Sequence, residues 1–376
     1  MNGAVLDWLL DSDPSIRWQV YRDLLGDTKQ AEHERLLVAR TGWGAESLSH
    51  QAFSGKWGVE GLETALVPEA MPDAETRILL RELHRIDVDE VTGFMGVDET
   101  TVRLWETDPL DLEEPSTRRY MSFLGWMQST LGTYNPKWIS TTYTLLLLHH
   151  FGIDPSDPQV RGAVDLVAKK VSWDVGDGPR SFFDGETEPC INGMVTTIGA
   201  YFGHGVDGVV DRLLEEQLAD GGWNCEAERG SVRSSFDSTI CVLEGLLEYE
   251  RNVGPSEHVA GARRRGEQYL LERRMFRRLS SGDVVDPAYT MFSFPPRWHY
   301  DVLRGLDYMR VALDSPDPMC AEAVELVESK RGGDGRWLQE NTHPGFTYFP
   351  MDDGDGRPSR WNTLRALRVL AWYDPA

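Results

Sequence analysis

This 376-residue sequence predicts an all-α fold, an α/α toroid of about six helical hairpins, interrupted by a small inserted helical subdomain at residues 58–131. Three observations predict it. A unit of proline, basic residue and tryptophan recurs ahead of apolar residues at helical spacing, in Pro14 to Trp18, Pro136-Lys137-Trp138, Pro296-Arg297-Trp298 and Pro358 to Trp361. Stretches of ordinary surface character alternate with these units. A turn of the form Gln-x3-Gly-x-Trp appears at Gln51 to Trp57 and at Gln217 to Trp223, and Gly335-Arg336-Trp337 keeps its end. Such a period means stacked supersecondary units, so it governs the reading of everything else.

Residues 3–10 read as a short helix, Pro14 to Leu25 as the first copy of the unit, and Gln30 to Ala39 as a polar amphipathic helix ending near Thr41-Gly42. The inner set opens at Pro14, Pro136, Pro189, Ser235, Pro296 and Ser359; the copies at Pro189 and Ser235 keep the position and lose the Arg-Trp pair. The outer set runs Pro158 to Lys170, Asp207 to Gln217, Ser256 to Met275 and Pro318 to Lys330. With residues 3–10 outside the last inner helix, the circle closes. Excising residues 58–131 would join Gly55-Lys56-Trp57 almost directly to Gly132 and Pro136, the short distance that also separates Trp223 from Phe236.

Inside the insertion, Val88 to Glu106 resembles a helix-turn-helix unit, with Gly96 at the turn and Val91, Met95, Val97, Val102 and Trp105 apolar. Its charge argues against DNA. Residues 58–131 hold six arginines against sixteen acids, a net of −10, and Glu99 to Glu106 offers Arg103 beside two glutamates. A lid, a self-contact or a protein partner is the expected role.

Composition narrows the class. Hydrophobic residues make up 40% and allow a large core, while a net charge of −23 opposes association with nucleic acid or anionic lipid. Cys190, Cys225, Cys241 and Cys320 are scattered without a Cys-x-x-Cys pair, so a reducing cytoplasm is expected. The start, Met1 to Trp8, lacks a signal-peptide pattern, and the longest apolar block, Leu145 to Leu148, is too short for a membrane span.

The Gln-x3-Gly-x-Trp turns and alternating helices resemble the squalene cyclase and protein prenyltransferase superfamily. More closely, Lys137 to Leu145, Asp220 to Cys225 and Trp298 to Leu306 resemble its short bacterial squalene cyclase-like branch, over residues 1–57 and 132–376. The resemblance implies an α/α toroid around an apolar cavity and an isoprenoid or other lipid-like ligand. Neither Asp-x-Asp-Asp nor Asp-Asp-x-x-Asp stands on an inner helix, since Asp352-Asp353-Gly354-Asp355 is a glycine-broken loop. Protein prenyltransferases set Asp, Cys and His around zinc; Asp237, Cys241 and His299 match that set in part.

The inner helix N-termini would gather at one mouth, favouring an anion through free N–H groups and dipole ends. Arg17, Lys137, Arg297 and Arg360 belong to this rim, or else stack on the neighbouring tryptophans and pair with acids. The catalytic candidates are Asp237, His299 and Asp301, a carboxyl of raised pKa with a histidine beside it. Substrate-binding candidates are Trp138, Thr142, Cys190, Asn192, Phe236, Arg297, Trp298, Tyr300, His343, Trp361 and Asn362, with core packing the ordinary alternative for the aromatic ones. The arginines from Arg263 to Arg278 lie on an outer helix and are expected to pair with acids. Three functions follow: acid/base chemistry on an isoprenoid in the cavity, a non-catalytic ligand-sensing toroid whose insertion contacts a partner, or an enzyme on a polar, sugar-like substrate.

Overall fold

The computed structural model describes residues 3–59, 74, 77, 78, 81, 88–107, 110, 111, 114–175 and 178–374. Among these the chain is mostly helical. In order come α1 (Gly3–Leu10), α2 (Pro14–Val20, continued by a π turn at Tyr21–Leu25), α3 (Thr28–Leu37), α4 (Gly42–Ser49), α5 (Val88–Met95), α6 (Glu99–Trp105) and α7 (Pro115–Ser129). Next are α8 (Thr141–Phe151), α9 (Pro158–Lys170), the antiparallel hairpin β1 (Ser172–Val175) and β2 (Gly178–Ser181), α10 (Pro189–Phe202) and α11 (Asp207–Glu215). The chain ends with α12 (Phe236–Asn252), α13 (Glu257–Glu272), α14 (Val302–Ala312), α15 (Ala321–Ser329) and α16 (Arg360–Tyr373).

Burial separates these helices into two kinds. The helices α2, α8, α10, α12, α14 and α16 are buried over most of their faces, as in α10 from Pro189 to Ala200. By contrast α9 buries one stripe, Val160, Val164 and Val167, as a surface helix does. The buried helices touch in chain order, α8 on α10, α10 on α12, α12 on α14 and α14 on α16. From there α16 meets α2 again, and Trp18 Nε1 of α2 donates to the Phe151 carbonyl of α8 at 2.7 Å. Glycine makes the tightest of these pairs: a Cβ at Gly193 would sit 2.5 Å from the Cys241 carbonyl oxygen, and one at Gly245 2.4 Å from that of Gly193.

The glycine-tryptophan turns repeat one hydrogen-bonded device three times. The indole Nε1 of Trp57, Trp223 and Trp337 donates to the carbonyls of Ser47, Leu213 and Val327 at 2.8, 2.7 and 2.7 Å, which draws each ring under the end of the preceding helix. Their backbone N–H groups donate forward to Thr141, Thr239 and Thr363 Oγ1 at 3.2, 3.1 and 3.0 Å. Each turn therefore ties a surface helix to the start of the next buried one. Gln51 and Gln217 close the loop, donating to the Gly55 and Gly221 carbonyls and across to Ala163 and Ala262.

Two proline units depart from the expected first helical turn. Pro136 and Pro296 do not open helices; α8 starts at Thr141 and α14 at Val302. The caps stand later in the sequence: Ser140 precedes α8, and Asp301 accepts the Arg304 N–H at 2.8 Å. Arg297 takes a left-handed φ of +58°, which no helix accommodates. The helix α4 and the β hairpin were not expected from sequence. In the inserted stretch α5, the Gly96 turn and α6 lie where the helix-turn-helix pattern falls, and Val91, Met95, Val102, Trp105, Tyr120 and Leu124 form a cluster separate from the main core. Arg103 pairs with Glu99, which leaves it ion-paired within its own helix.

Candidate functional site

Because the Pro136 and Pro296 units stay outside the helices, they fold as turns beside the N-terminal ends of α8, α12 and α14, the mouth of the candidate site. Lys137 Nζ lies 5.5 Å from the Trp138 ring centroid and 5.6 Å from that of Trp298. Arg297 lies beside them, its guanidinium carbon 5.3 Å from the Trp138 centroid. Only 7% of Arg297 is exposed, and no carboxylate or hydrogen-bond acceptor among the described residues engages its guanidinium. Burial pulls it down to about 9, with Tyr143 opposing weakly.

Two imidazoles complete the mouth. His299 and His343 stack 3.8 Å apart at 15°, His299 also stacks on Trp298 at 3.6 Å, and Trp138 meets both edge-on at 6.1 and 6.4 Å. Burial, then each other's charge and that of Lys137, Arg304 and Arg297, holds His299 down at about 2. Burial and the arginines Arg297 and Arg304 hold His343 at about 4. Both are neutral at pH 7, so each ring keeps a nitrogen able to accept a hydrogen bond. His343 Nε2 lies 3.1 Å from Ser293 Oγ, which lies 3.4 Å from Asp301.

A cavity of about 160 Å³, with Phe294 and Pro296 in its lining, lies among α2, α8, α12, α14 and α16. Its wall is charged. Arg304 donates to Glu244 at 2.9 and 2.6 Å, Arg368 to Asp307 at 2.8 Å, and Arg365 lies 3.7 Å from the same carboxylate. His149 faces Glu248 at 3.5 Å. Burial pulls the Asp307 carboxyl up, but Arg368, Arg310 and Arg365 overcome it and leave it below its usual range. Burial, then His149 and Arg304, holds His150 well below the usual histidine value. Two buried donors or acceptors in this wall, Trp361 Nε1 and His149 Nδ1, have no partner.

The expected catalytic group does not assemble as one unit. Asp237 spends both carboxylate oxygens locally, accepting the Tyr300 N–H at 2.7 Å and the Tyr289 hydroxyl at 2.8 Å. Asp301, 2% exposed, caps α14 and borders Arg365. Burial raises both carboxyls, yet each is bound to backbone, and only His299 of the three belongs to the mouth. The zinc set fails for the same reason: Cys241 Sγ faces the Trp298 carbonyl and Arg304, and Asp237, Cys241 and His299 do not form a compact ligand group.

Other expected residues divide cleanly. Trp138, Arg297, Trp298 and His343 are at the mouth, and Trp361, stacked on Phe294 at 4.1 Å, lines the cavity. Phe236 and Tyr300 instead pack with Tyr289, and the Tyr300 hydroxyl donates to the Met275 carbonyl at 2.6 Å. Thr142 donates to the Thr133 carbonyl, Asn192 pins Glu186 through both its amide atoms, and Asn362 donates to the Phe292 and Leu338 carbonyls. These three are structural. Of the basic rim, Arg17 pairs with Glu34 and Arg360 donates to the carbonyls of Trp8 and Asp11. Of the arginines from Arg263 to Arg278, Arg263 on α13 pairs with Glu250 and Glu267, and Arg277, beyond its end, with Glu322, while Arg265 donates to the Gln217 side chain and Arg278 to the Val285 carbonyl. The charged cavity escaped the sequence reading, although Glu244 and Glu248, and Arg365 and Arg368, repeat at helical spacing within largely apolar helices.

In comparison with known proteins, no family model, curated protein or solved structure matches the chain.

Proposed function

We propose that the chain closes into an α/α toroid whose mouth takes the anionic group of a small polar molecule, with the neutral His299 and His343 pair as hydrogen-bond acceptors beside it. The closed ring is supported by the order of helix contacts, which returns from α16 to α2. The anion reading is carried by Arg297, a buried guanidinium with aromatic neighbours and no carboxylate partner among the described residues. A cation withdrawn from water without a counter-charge is several kcal/mol out of balance, and an oxoanion supplies the missing partner bidentately.

The polar class is favoured over the isoprenoid one by the wall of the cavity. An isoprenoid tail seated there would desolvate Glu244, Asp307, Arg304, Arg365 and Arg368 without replacing their hydrogen bonds. About 160 Å³ is also well below the roughly 300–1,000 Å³ of pockets that enclose a drug-sized ligand. A hydroxy-carboxylate or a sugar phosphate combines the anion with hydroxyls that the imidazoles can accept from.

Thermal-shift measurements with inorganic phosphate, hydroxy-carboxylates, sugar phosphates and a prenyl diphosphate test this reading. Stabilisation by the small polar anions, lost in Arg297→Met, supports it. Stabilisation by prenyl diphosphate alone, with inorganic diphosphate inert, would return the reading to an isoprenoid.

A further inference from the structure

We infer that Glu188, Cys190 and Cys225 form a binding site for a thiophilic divalent cation, zinc being the first choice. Their ligand atoms all lie within 4.8 Å of one another, and among the described residues this is the compact group of such side chains. The spacing is that of a coordination sphere. With metal–sulfur and metal–oxygen bonds of about 2.3 and 2.0 Å at tetrahedral angles, an S···O edge is about 3.5 Å. Cys190 Sγ lies 3.6 Å from Glu188 Oε2.

The environment of Glu188 is a second, independent observation. Burial raises its carboxyl and Glu186 raises it further. Among the described residues no lysine or arginine forms an ion pair with Glu188; Arg229 acts on it from further off and is paired with Glu226. The side chains that hydrogen-bond it are the two thiols. Two thiols turned onto one carboxylate present three donors of the kind that hold a thiophilic cation. Local structure holds the donors in place. Pro189 and Cys190 open α10 below Glu188, and Cys225 follows the Trp223 turn, where its Sγ lies 3.3 Å from Ser238 Oγ. The turn device described above therefore also delivers the second thiol.

Three protein ligands leave a fourth position for water or substrate, the pattern of an open rather than a closed zinc site. Binding replaces two S–H protons, which pass to solvent, so the cation gains two thiolates and a carboxylate and affinity rises with pH. Tyr143, which packs on Trp138 at 4.8 Å, feels the charges of both Cys190 and Arg297, so the cation would border the mouth. The inference uses residues separate from those of the anion reading, and its test reads metal.

Cobalt(II) titration of the chelator-treated full chain is the test. The expected result is one ion per chain with a thiolate-to-cobalt charge-transfer band, displaced by zinc. Cys225→Ser cuts the band by half or more, Glu188→Gln weakens binding by roughly tenfold or more, and Cys241→Ser and Cys320→Ser leave it intact. Circular dichroism of Cys225→Ser, half-exposed in the native chain, checks that it folds. No charge-transfer band in the wild type, or a band of undiminished intensity in Cys225→Ser, overturns the inference.

Discussion

Arg297 places its guanidinium carbon 5.3 Å from the centroid of the Trp138 ring, and no acid among the described residues shares that space. A cation–π contact contributes about 0.5–2 kcal/mol. The desolvation of an ion costs several kcal/mol. The ring therefore holds the guanidinium in place without neutralising it, as a receptor for an oxoanion requires.

Removing that charge should stabilise the free protein. Arg297→Met keeps the stem in contact with Trp138, and the φ of +58° penalises methionine and arginine alike, so the difference isolates the charge. Urea denaturation is expected to show a gain of about 1–3 kcal/mol. A loss would mean that the guanidinium is already satisfied.

The three tryptophan turns should respond equally. Thr141→Val, Thr239→Val and Thr363→Val each remove the hydroxyl that accepts a tryptophan N–H, leaving a buried donor without a partner. Each is expected to cost about 1–3 kcal/mol in chemical denaturation. The sites are far apart in sequence and serve separate turns, so the effects should add.

The imidazole pair sets a pH dependence of defined sign. His299 and His343 are held below the ordinary histidine value, at about 2 and about 4, so between pH 6.5 and those values the unfolded chain binds protons that the folded chain refuses. Their stability contribution is complete above pH 6.5 and is lost as pH falls, by roughly 3 kcal/mol for His343 by pH 4. The stability of the wild type relative to a His299→Gln, His343→Gln double variant should be constant above pH 6.5 and fall as the pH drops toward 4. Parallel profiles would remove both rings from the buried mouth.

Asp301 should act through the fold. Asp301→Ala removes the α14 cap and a neighbour of Arg365, and is expected to cost about 2 kcal/mol or more, while Asp301→Asn, which can still cap, costs less. Anion binding by the surviving folded Asn variant should keep its pH profile. A shifted profile would restore Asp301 to the proton-transfer role.

The helical architecture was legible because it is written in periodic signals. Pro189, the Ser235 and Ser359 caps, and the Gly-x-Trp turns each specify local backbone, and the helices begin where these residues stand. The Pro136 and Pro296 units were misread because proline at a first helical turn and proline in the preceding loop look alike; Ser140 and Asp301, four and five residues on, decide between them. The site was legible only at Trp138, Arg297, Trp298, His299 and His343. Asp237 and Asp301 had the composition of catalytic acids, but their oxygens are committed to the Tyr300 and Arg304 N–H groups, a fact of tertiary position. The Glu188, Cys190 and Cys225 group joins residues from two separate turns, which no local spacing announces.

Isothermal titration of inorganic phosphate and small hydroxy-carboxylates into the wild type and Arg297→Met tests the central claim most directly. The account predicts one saturable site per chain in the wild type, weakening with salt, and at least about a tenfold loss in Arg297→Met, equivalent to about 1.4 kcal/mol. Equal binding by the two proteins, or no binding of any small oxoanion by a folded wild type, would contradict it.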